Sequence, residues 1–290
     1  MTLSDLLERA RFEVIPMSGV SEEVEGSLPT GSVVTVTCSP TKGPDVTMDL
    51  AERFARDGYE VVPHVSARTV RSREHLQDLV GRMRDSRLKE LFVIGGDALE
   101  PAGPYPDAAS VLADLDGAGL ERIGVGGYPE GHPIIDDEVL FQALAEKQEI
   151  ADYVATQICF SPGSVIDWIE RIRRRGITLP VYLGMAGSVK RRKLLEISLR
   201  VGVGDSLRYL TKHGNLVTRL MRRSGYTPDE FVSHVEPFIG NADYGIAGFH
   251  VFTFNQVDST ERWRRGLVEA YRRAGRSLSA EAEEEDDAAS

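Results

Sequence analysis

The stretch Ser72-Arg73-Glu74-His75-Leu76-Gln77-Asp78-Leu79-Val80-Gly81-Arg82-Met83-Arg84-Asp85-Ser86-Arg87-Leu88-Lys89-Glu90-Leu91-Phe92-Val93-Ile94-Gly95-Gly96 reads as two elements in series. Leu76, Leu79, Val80 and Met83 recur at helical spacing behind Ser72, a good capping residue. Residues 90–95 are then a short, largely apolar run, the pattern of a strand buried on both faces. A helix followed at once by such a strand is the repeat unit of a parallel α/β fold.

The same unit recurs in both directions along the chain. Strand-like runs fall at residues 12–16, 33–38, 60–63, 90–95, 122–126, 153–159, 179–184 and 248–254. Helical patterns occupy residues 45–57, 72–85, 107–115, 136–147, 164–175, 188–199 and 259–273, and Gly58, Gly119 and Gly176 punctuate helix ends. The first crossover, residues 17–32, is interrupted by Gly19, Gly26 and Pro29, so its helix must be short or absent. The last crossover is long enough for two extra helices, at about residues 205–223 and 227–238. Eight strands in this rhythm predict a (β/α)8 TIM barrel, class α/β, over residues 10–275. Residues 1–9 form a lead-in, and residues 276–290 an acidic tail expected to be disordered or a frayed helix. The competing open doubly wound sheet lacks its signature, because no glycine fingerprint follows the first strand. Gly124-Val125-Gly126-Gly127-Tyr128-Pro129 has Pro where the third Gly belongs, Gly202-Val203-Gly204 fails similarly, and no Walker A motif occurs.

Composition sets outer limits on function. The chain has 290 residues, 41% hydrophobic and 27% charged, enough for a substantial core. No apolar run reaches the ~18 residues of a membrane span, and the N-terminus lacks a signal-peptide pattern, so a cytoplasmic location is expected. The two cysteines, Cys38 and Cys159, form no CxxC pair, which gives no zinc site or disulfide scaffold. Net charge is −11, with Glu281, Glu283, Glu284, Glu285, Asp286 and Asp287 concentrated in the tail. That balance gives a nucleic-acid role little electrostatic support, and the basic clusters at residues 171–175 and 190–193 read as solvated helix faces. Nothing calls for a metal or a membrane; a homo-oligomer stays open.

In such a barrel the functional groups collect at the C-terminal ends of the strands. Glu13 lies inside the apolar run Phe12-Glu13-Val14-Ile15-Pro16, where desolvation would raise its pKa toward a general acid's working range. Thr37 ends the second run. His64 ends the third. Gly95-Gly96-Asp97 follows the fourth and lets a ligand approach the backbone beside a carboxylate. Tyr128-Pro129-Glu130-Gly131-His132-Pro133 follows the fifth. Gln157, an amide in an apolar strand, can read the paired donors and acceptors of a pterin or other heterocycle. Each has a bland reading as a paired core group, a turn residue or a satisfied amide. Six polar strand ends in succession exceed what a purely structural barrel needs.

Taken together, Phe12-Glu13-x-x-Pro16, Val36-Thr37, Pro63-His64, Gly96-Asp97, Tyr128-Pro129-Glu130-x-His132-Pro133, Lys147, Thr156-Gln157 and Phe252-Thr253-Phe254-Asn255 resemble the methylenetetrahydrofolate reductase family over roughly residues 10–272. The resemblance implies a barrel holding FAD, which takes hydride from NAD(P)H and reduces methylenetetrahydrofolate to methyltetrahydrofolate in one-carbon and methionine metabolism. It implies that Glu13 is the general acid, that Asp97 binds the pterin and tunes the flavin, and that Gln157 contacts folate and, alternately, nicotinamide. Thr37, His64, Gly96, Asp97, Tyr128, His132 and Lys147 would line the flavin site. A shielded acid and a dry slot suit this chemistry, because the cofactor supplies the reactivity.

The chain departs from the family at Gly95, where Arg is frequent, at Leu140, where Asp is usual, and at Ala143 and Glu146 nearby. Gln256 and Val189 also replace an Arg and an aromatic of some members. Lost charge-assisted hydrogen bonds are worth roughly 1.5–3 kcal/mol each, so the expected grip on FAD is weakened. Alternatives on the same barrel are a tetrahydrofolate-dependent methyl-transfer or demethylation component, a flavin-free reductase, and a non-enzymatic binding partner using the acidic tail.

Overall fold

The computed structural model describes residues 2–39, 42–132, 134–189 and 228–289, the last fifteen of these by backbone alone. Its eight strands are β1 (Arg11–Val14), β2 (Val33–Val36), β3 (Glu60–Ser66), β4 (Glu90–Ile94), β5 (Arg122–Gly127), β6 (Tyr153–Thr156), β7 (Val181–Ala186) and β8 (Ile246–Phe252). They pair in parallel in chain order, and β8 closes on β1 with Glu13 beside Phe252. The expected (β/α)8 barrel is present, with each strand where the apolar runs place it. Two strands differ in a way that matters: β3 continues past Pro63 to Ser66, which draws His64 into the strand, and β6 stops at Thr156, which leaves Gln157 just beyond the strand expected to hold it.

The helices are fixed by their caps. Thr2 and Asp5 form a capping box at the start of α1 (Leu3–Glu8), whose Leu3, Leu6 and Leu7 are buried, so the lead-in is part of the packed structure. The shortened first crossover carries α2 (Val20–Ser27). Next come α3 (Gly43–Arg56), α4 (Arg73–Asp85), α5 (Ala108–Leu115), α6 (Asp137–Lys147) and α7 (Pro162–Arg174). Ser72, Asp107, Asp136 and Ser161 each accept a hydrogen bond from the first turn of the helix that follows. The expected helix at residues 205–223 lies outside the described residues, as do residues 190–199 of the preceding one and Gly202-Val203-Gly204. The second extra helix is observed as α8 (Pro228–Val235) with a 3-10 turn at Glu236–Phe238. α9 runs from Val257 to Ala289, so the backbone of the acidic segment, for which disorder or a frayed helix was expected, continues this helix. Alanine and glutamate are strong helix formers, which explains the continuation. Among the described residues no helix is long and apolar enough to cross a membrane.

Alternate residues of each strand face the barrel interior. At the N-terminal end, Arg11 of β1 pairs with Glu90 of β4 at 2.5 Å, and Arg122 of β5 reaches the same carboxylate at 3.4 Å. The Arg11 guanidinium stacks 3.7 Å from the ring centre of Tyr182 and 4.5 Å from that of Tyr153. An apolar layer of Val62, Phe92, Tyr153 and Ala155 follows. Outside, residues such as Val34, Val125 and Leu183 pack against Met48, Phe54, Leu79 and Trp168 of the helices. Ion pairs and rings plug this end of the barrel, and Glu13 lies further along β1, towards the other.

Candidate functional site

Glu13 is held from two sides by the β8 seam. Its backbone carbonyl accepts a 2.6 Å bond from Thr253 Oγ1, and one side-chain oxygen, Oε2, lies 2.9 Å from His250 Nε2. Just beyond, Asn255 pairs with the backbone of Ile15 through both ends of its amide. Phe254 and Asn255 have φ of +50° and +56°, left-handed values that turn the chain so that the amide reaches β1. His64 approaches from β3, its ring 4.7 Å from Phe92 and 5.9 Å from His250. Both imidazoles are almost wholly buried, and the Glu13 side chain keeps 13% of its surface exposed.

Burial dominates the electrostatics of this cluster. It pushes the Glu13 carboxyl up to about 7, against a smaller lowering by His64. It also pushes His64 and His250 down to about 3, so both rings are neutral near pH 7. A carboxyl that is half protonated at neutral pH, with one oxygen held, can deliver a proton. One donor atom each from Glu13, His64 and His250 lies within 4.8 Å of the others. Arg11 opposes positive charge on both rings, and His250 Nδ1 has no hydrogen-bond partner among the described residues. Metal-bound imidazoles almost always donate that second nitrogen, so the trio reads as an acid set between two neutral rings.

The other expected residues fall into two further groups. Asp97 is exposed on the loop after β4, close enough to act electrostatically on Tyr128 and His132. Those two rings meet edge to face at 5.3 Å. Burial first, and Asp97 second, raise the Tyr128 hydroxyl; burial lowers His132. Gly96, at φ +91°, brings this loop so near β3 that a Cβ there would sit 1.9 Å from Ser66 Oγ. Arg68 secures the same loop through the carbonyls of Ala98, Leu99 and Pro106. Gln157 follows β6, its N–H donating to Gly127, and Thr37 follows β2, its N–H donating to Val14. Glu130 accepts from the N–H groups of Phe160 and Ser161, which ties the β5 loop to the start of α7.

The last group is Lys147, which lines a crevice of about 20 Å³ with Tyr128, Leu140, Phe141 and Trp168. Burial lowers the pKa of its amine. Nothing lies within 4 Å of where a Cβ on Gly95 would be. Ala143 and Glu146 share helix α6 with Leu140 and Lys147.

Sequence reasoning missed His250, the nearest partner of Glu13. Its one signal is parity: it stands two residues before Phe252, and β8 pairs with β1. The Arg11–Glu90–Arg122 layer was missed as well, and there the signal is a charge at the first residue of three strands, just before one apolar run and opening two others.

Comparison with known proteins bears on this geometry. The model of the methylenetetrahydrofolate reductase family matches residues 20–190. Methylenetetrahydrofolate reductase 1 of Schizosaccharomyces pombe is 35% identical over 65 residues, which is 22% of this chain and 11% of that protein. The match thus spans about a tenth of the curated relative's length. Among solved structures, a GH18 chitinase from Pseudoalteromonas aurantia superposes with a TM-score of 0.54 and 12% identity, over 90% of this chain and 99% of that one, a likeness of fold. A phosphonomutase, titled putative, from Burkholderia cenocepacia J2315 aligns over 97% of this chain and 96% of its own at a TM-score of 0.47 and 13% identity.

Proposed function

Since the chain belongs to the methylenetetrahydrofolate reductase family, we propose that it reduces methylenetetrahydrofolate to methyltetrahydrofolate with hydride from a reduced nicotinamide, and that Glu13 supplies the proton. The observation that carries this reading is the Glu13 carboxyl, buried beside two neutral imidazoles and brought by burial to a pKa of about 7. The methylene bridge joins two nitrogens. A proton from Glu13 to the nitrogen remote from the pterin lets its bond to the bridge carbon break, leaving an iminium on the other nitrogen. Hydride from the nicotinamide then adds to the bridge carbon and gives the methyl group, and solvent returns a proton to Glu13. Asp97 would accept from the pterin's N–H groups, and Gln157 would meet its mixed donor and acceptor edge.

The resemblance also implies FAD, and among the described residues those at the expected positions do not fit its diphosphate. Gly95 contributes no side chain, Leu140 and Ala143 are apolar, and Glu146 is acidic. Arg68 is committed to three backbone carbonyls. Among the described residues of this wall Lys147 is the remaining cation, in a crevice of about 20 Å³, room for a single water. A resident cofactor held at nanomolar Kd needs roughly 12 kcal/mol; a nicotinamide that binds and leaves at millimolar concentrations needs roughly 4. The reading is therefore direct transfer from nicotinamide to folate.

The test is an anaerobic assay of the purified full chain with methylenetetrahydrofolate and NADH or NADPH, following nicotinamide oxidation and methyltetrahydrofolate formation. Turnover without flavin absorbance, unchanged by added FAD, is expected. Turnover only with FAD would restore the flavin. Methyl transfer without nicotinamide oxidation would replace the reductase reading altogether.

A further inference from the structure

We propose that His250 is the positioning residue of the acid: its Nε2–H holds Oε2 of Glu13, which leaves Oε1 to carry the proton to the substrate. This rests on the reading of Glu13 as the proton donor. The 2.9 Å contact fixes the pair, and the other ring nitrogen fixes its direction. His250 Nδ1 is buried, with no hydrogen-bond partner among the described residues. A buried N–H left unpaired costs more than a buried lone pair left unpaired. The proton of the neutral ring therefore sits on Nε2 and is donated to Glu13. Among the described residues Oε1 has no hydrogen-bond partner.

The surroundings make this arrangement rigid. In register, His250 stands beside Arg11 and Phe252 beside Glu13, so the carboxyl reaches back one step along β8 to find the ring. Thr253 holds the Glu13 carbonyl at the same seam. The titratable or charged groups that act on the pair are His64 from β3, Arg11 on β1 itself and Glu90 from β4. From β2, Thr35 is uncharged, and its hydroxyl is buried without a partner. Among the described residues His64 Nε2 is likewise buried without a partner, which leaves His250 as the ring that grips the acid.

The bond strengthens when Glu13 ionises, because an N–H to a carboxylate outweighs an N–H to a neutral acid. Removing it must raise the Glu13 pKa further and free the carboxyl to rotate. The experiment compares His250→Leu with His250→Gln, whose amide N–H can reach the same oxygen. In His250→Leu, kcat is expected to fall about tenfold, with folate KM within about twofold and the alkaline limb of the kcat profile moved to higher pH. His250→Gln should stay within about threefold of the parent, with the limb in place. Equal losses in both variants without movement of the limb, or no loss in His250→Leu, would overturn the proposal. Nitrogen-15 NMR of the unaltered full chain provides a second reading that needs neither turnover nor a variant's folding. The Nε2–H form of His250 is expected at neutral pH, and the Nδ1–H form would refute the bond. If the parent chain shows no turnover, the reaction reading fails, and the tautomer still decides the geometry.

Discussion

Asn255 clasps Ile15 across the β8–β1 seam: its Oδ1 accepts from the Ile15 N–H at 2.8 Å, and its Nδ2 donates to the Ile15 carbonyl at 2.9 Å. A side chain here continues the ladder beyond its last backbone bond, from the Thr253 N–H to the Glu13 carbonyl. Because Glu13 lies two residues before Ile15, the clasp also sets where the acid stands. Asn255→Ala loses both bonds and puts alanine at φ +56°, so it should cost about 2–3 kcal/mol. Urea unfolding measures this, and kcat should fall with it. Asn255→Gly, which keeps the backbone freedom, should lose less.

The plug at the opposite end supports the fold. Glu90 holds Arg11, which is buried between Tyr153 and Tyr182. Glu90→Gln leaves the guanidinium without its counter-charge and should cost about 3–5 kcal/mol in unfolding free energy. Folate KM of the folded variant should stay close to that of the parent, because the layer lies away from the mouth.

Acid should unfold the protein through its two buried imidazoles. Their folded pKa values of about 3 lie below the ordinary imidazole value of 6.5, so below pH 6.5 the unfolded chain binds more protons and stability falls. Glu13 acts in the opposite sense. Its folded value of about 7 lies above the ordinary glutamate value of 4.5, so its contribution is full below pH 4.5 and is lost as pH rises through 7. Two rings outweigh one carboxyl. His64→Leu should therefore move the midpoint of acid unfolding, followed by circular dichroism, to lower pH.

Neighbouring glycines should respond differently. Gly96→Ala drives a Cβ to 1.9 Å from Ser66 Oγ at a positive φ, whereas Gly95→Ala meets nothing within 4 Å. Gly96→Ala should cost roughly 1–3 kcal/mol and weaken folate binding through the displaced Asp97 loop. Gly95→Ala should be neutral in both thermal melting and folate titration.

The barrel was legible because most apolar runs end in a glycine, as at Gly95, Gly126 and Gly184, or lead to a helix with a side-chain cap, as at Ser72 and Ser161. β3 was cut short in the reading because Pro63 looks like a terminator. At that point the strand pairs Pro63 with Val36 and continues, which turns His64 from a rim residue into an interior one. His250 was invisible because a single histidine in an apolar strand carries no spacing signal; only the register of β8 against β1 reveals its partner. Glu13 was legible because a carboxylate in an apolar run has few bland explanations. Lys147 came from resemblance alone, and the structure sets it in a narrow crevice beside Tyr128.

Protonation of Glu13 near neutral pH is the central claim, and infrared difference spectroscopy of the full chain against Glu13→Gln measures it directly. The band of a protonated carboxyl, absent from the variant, should titrate with a midpoint near 7. Glu13→Gln should lose about 10²–10⁴ in kcat and still bind folate. A midpoint at the ordinary carboxylate value, or a variant that turns over at the parent's rate, would contradict the account.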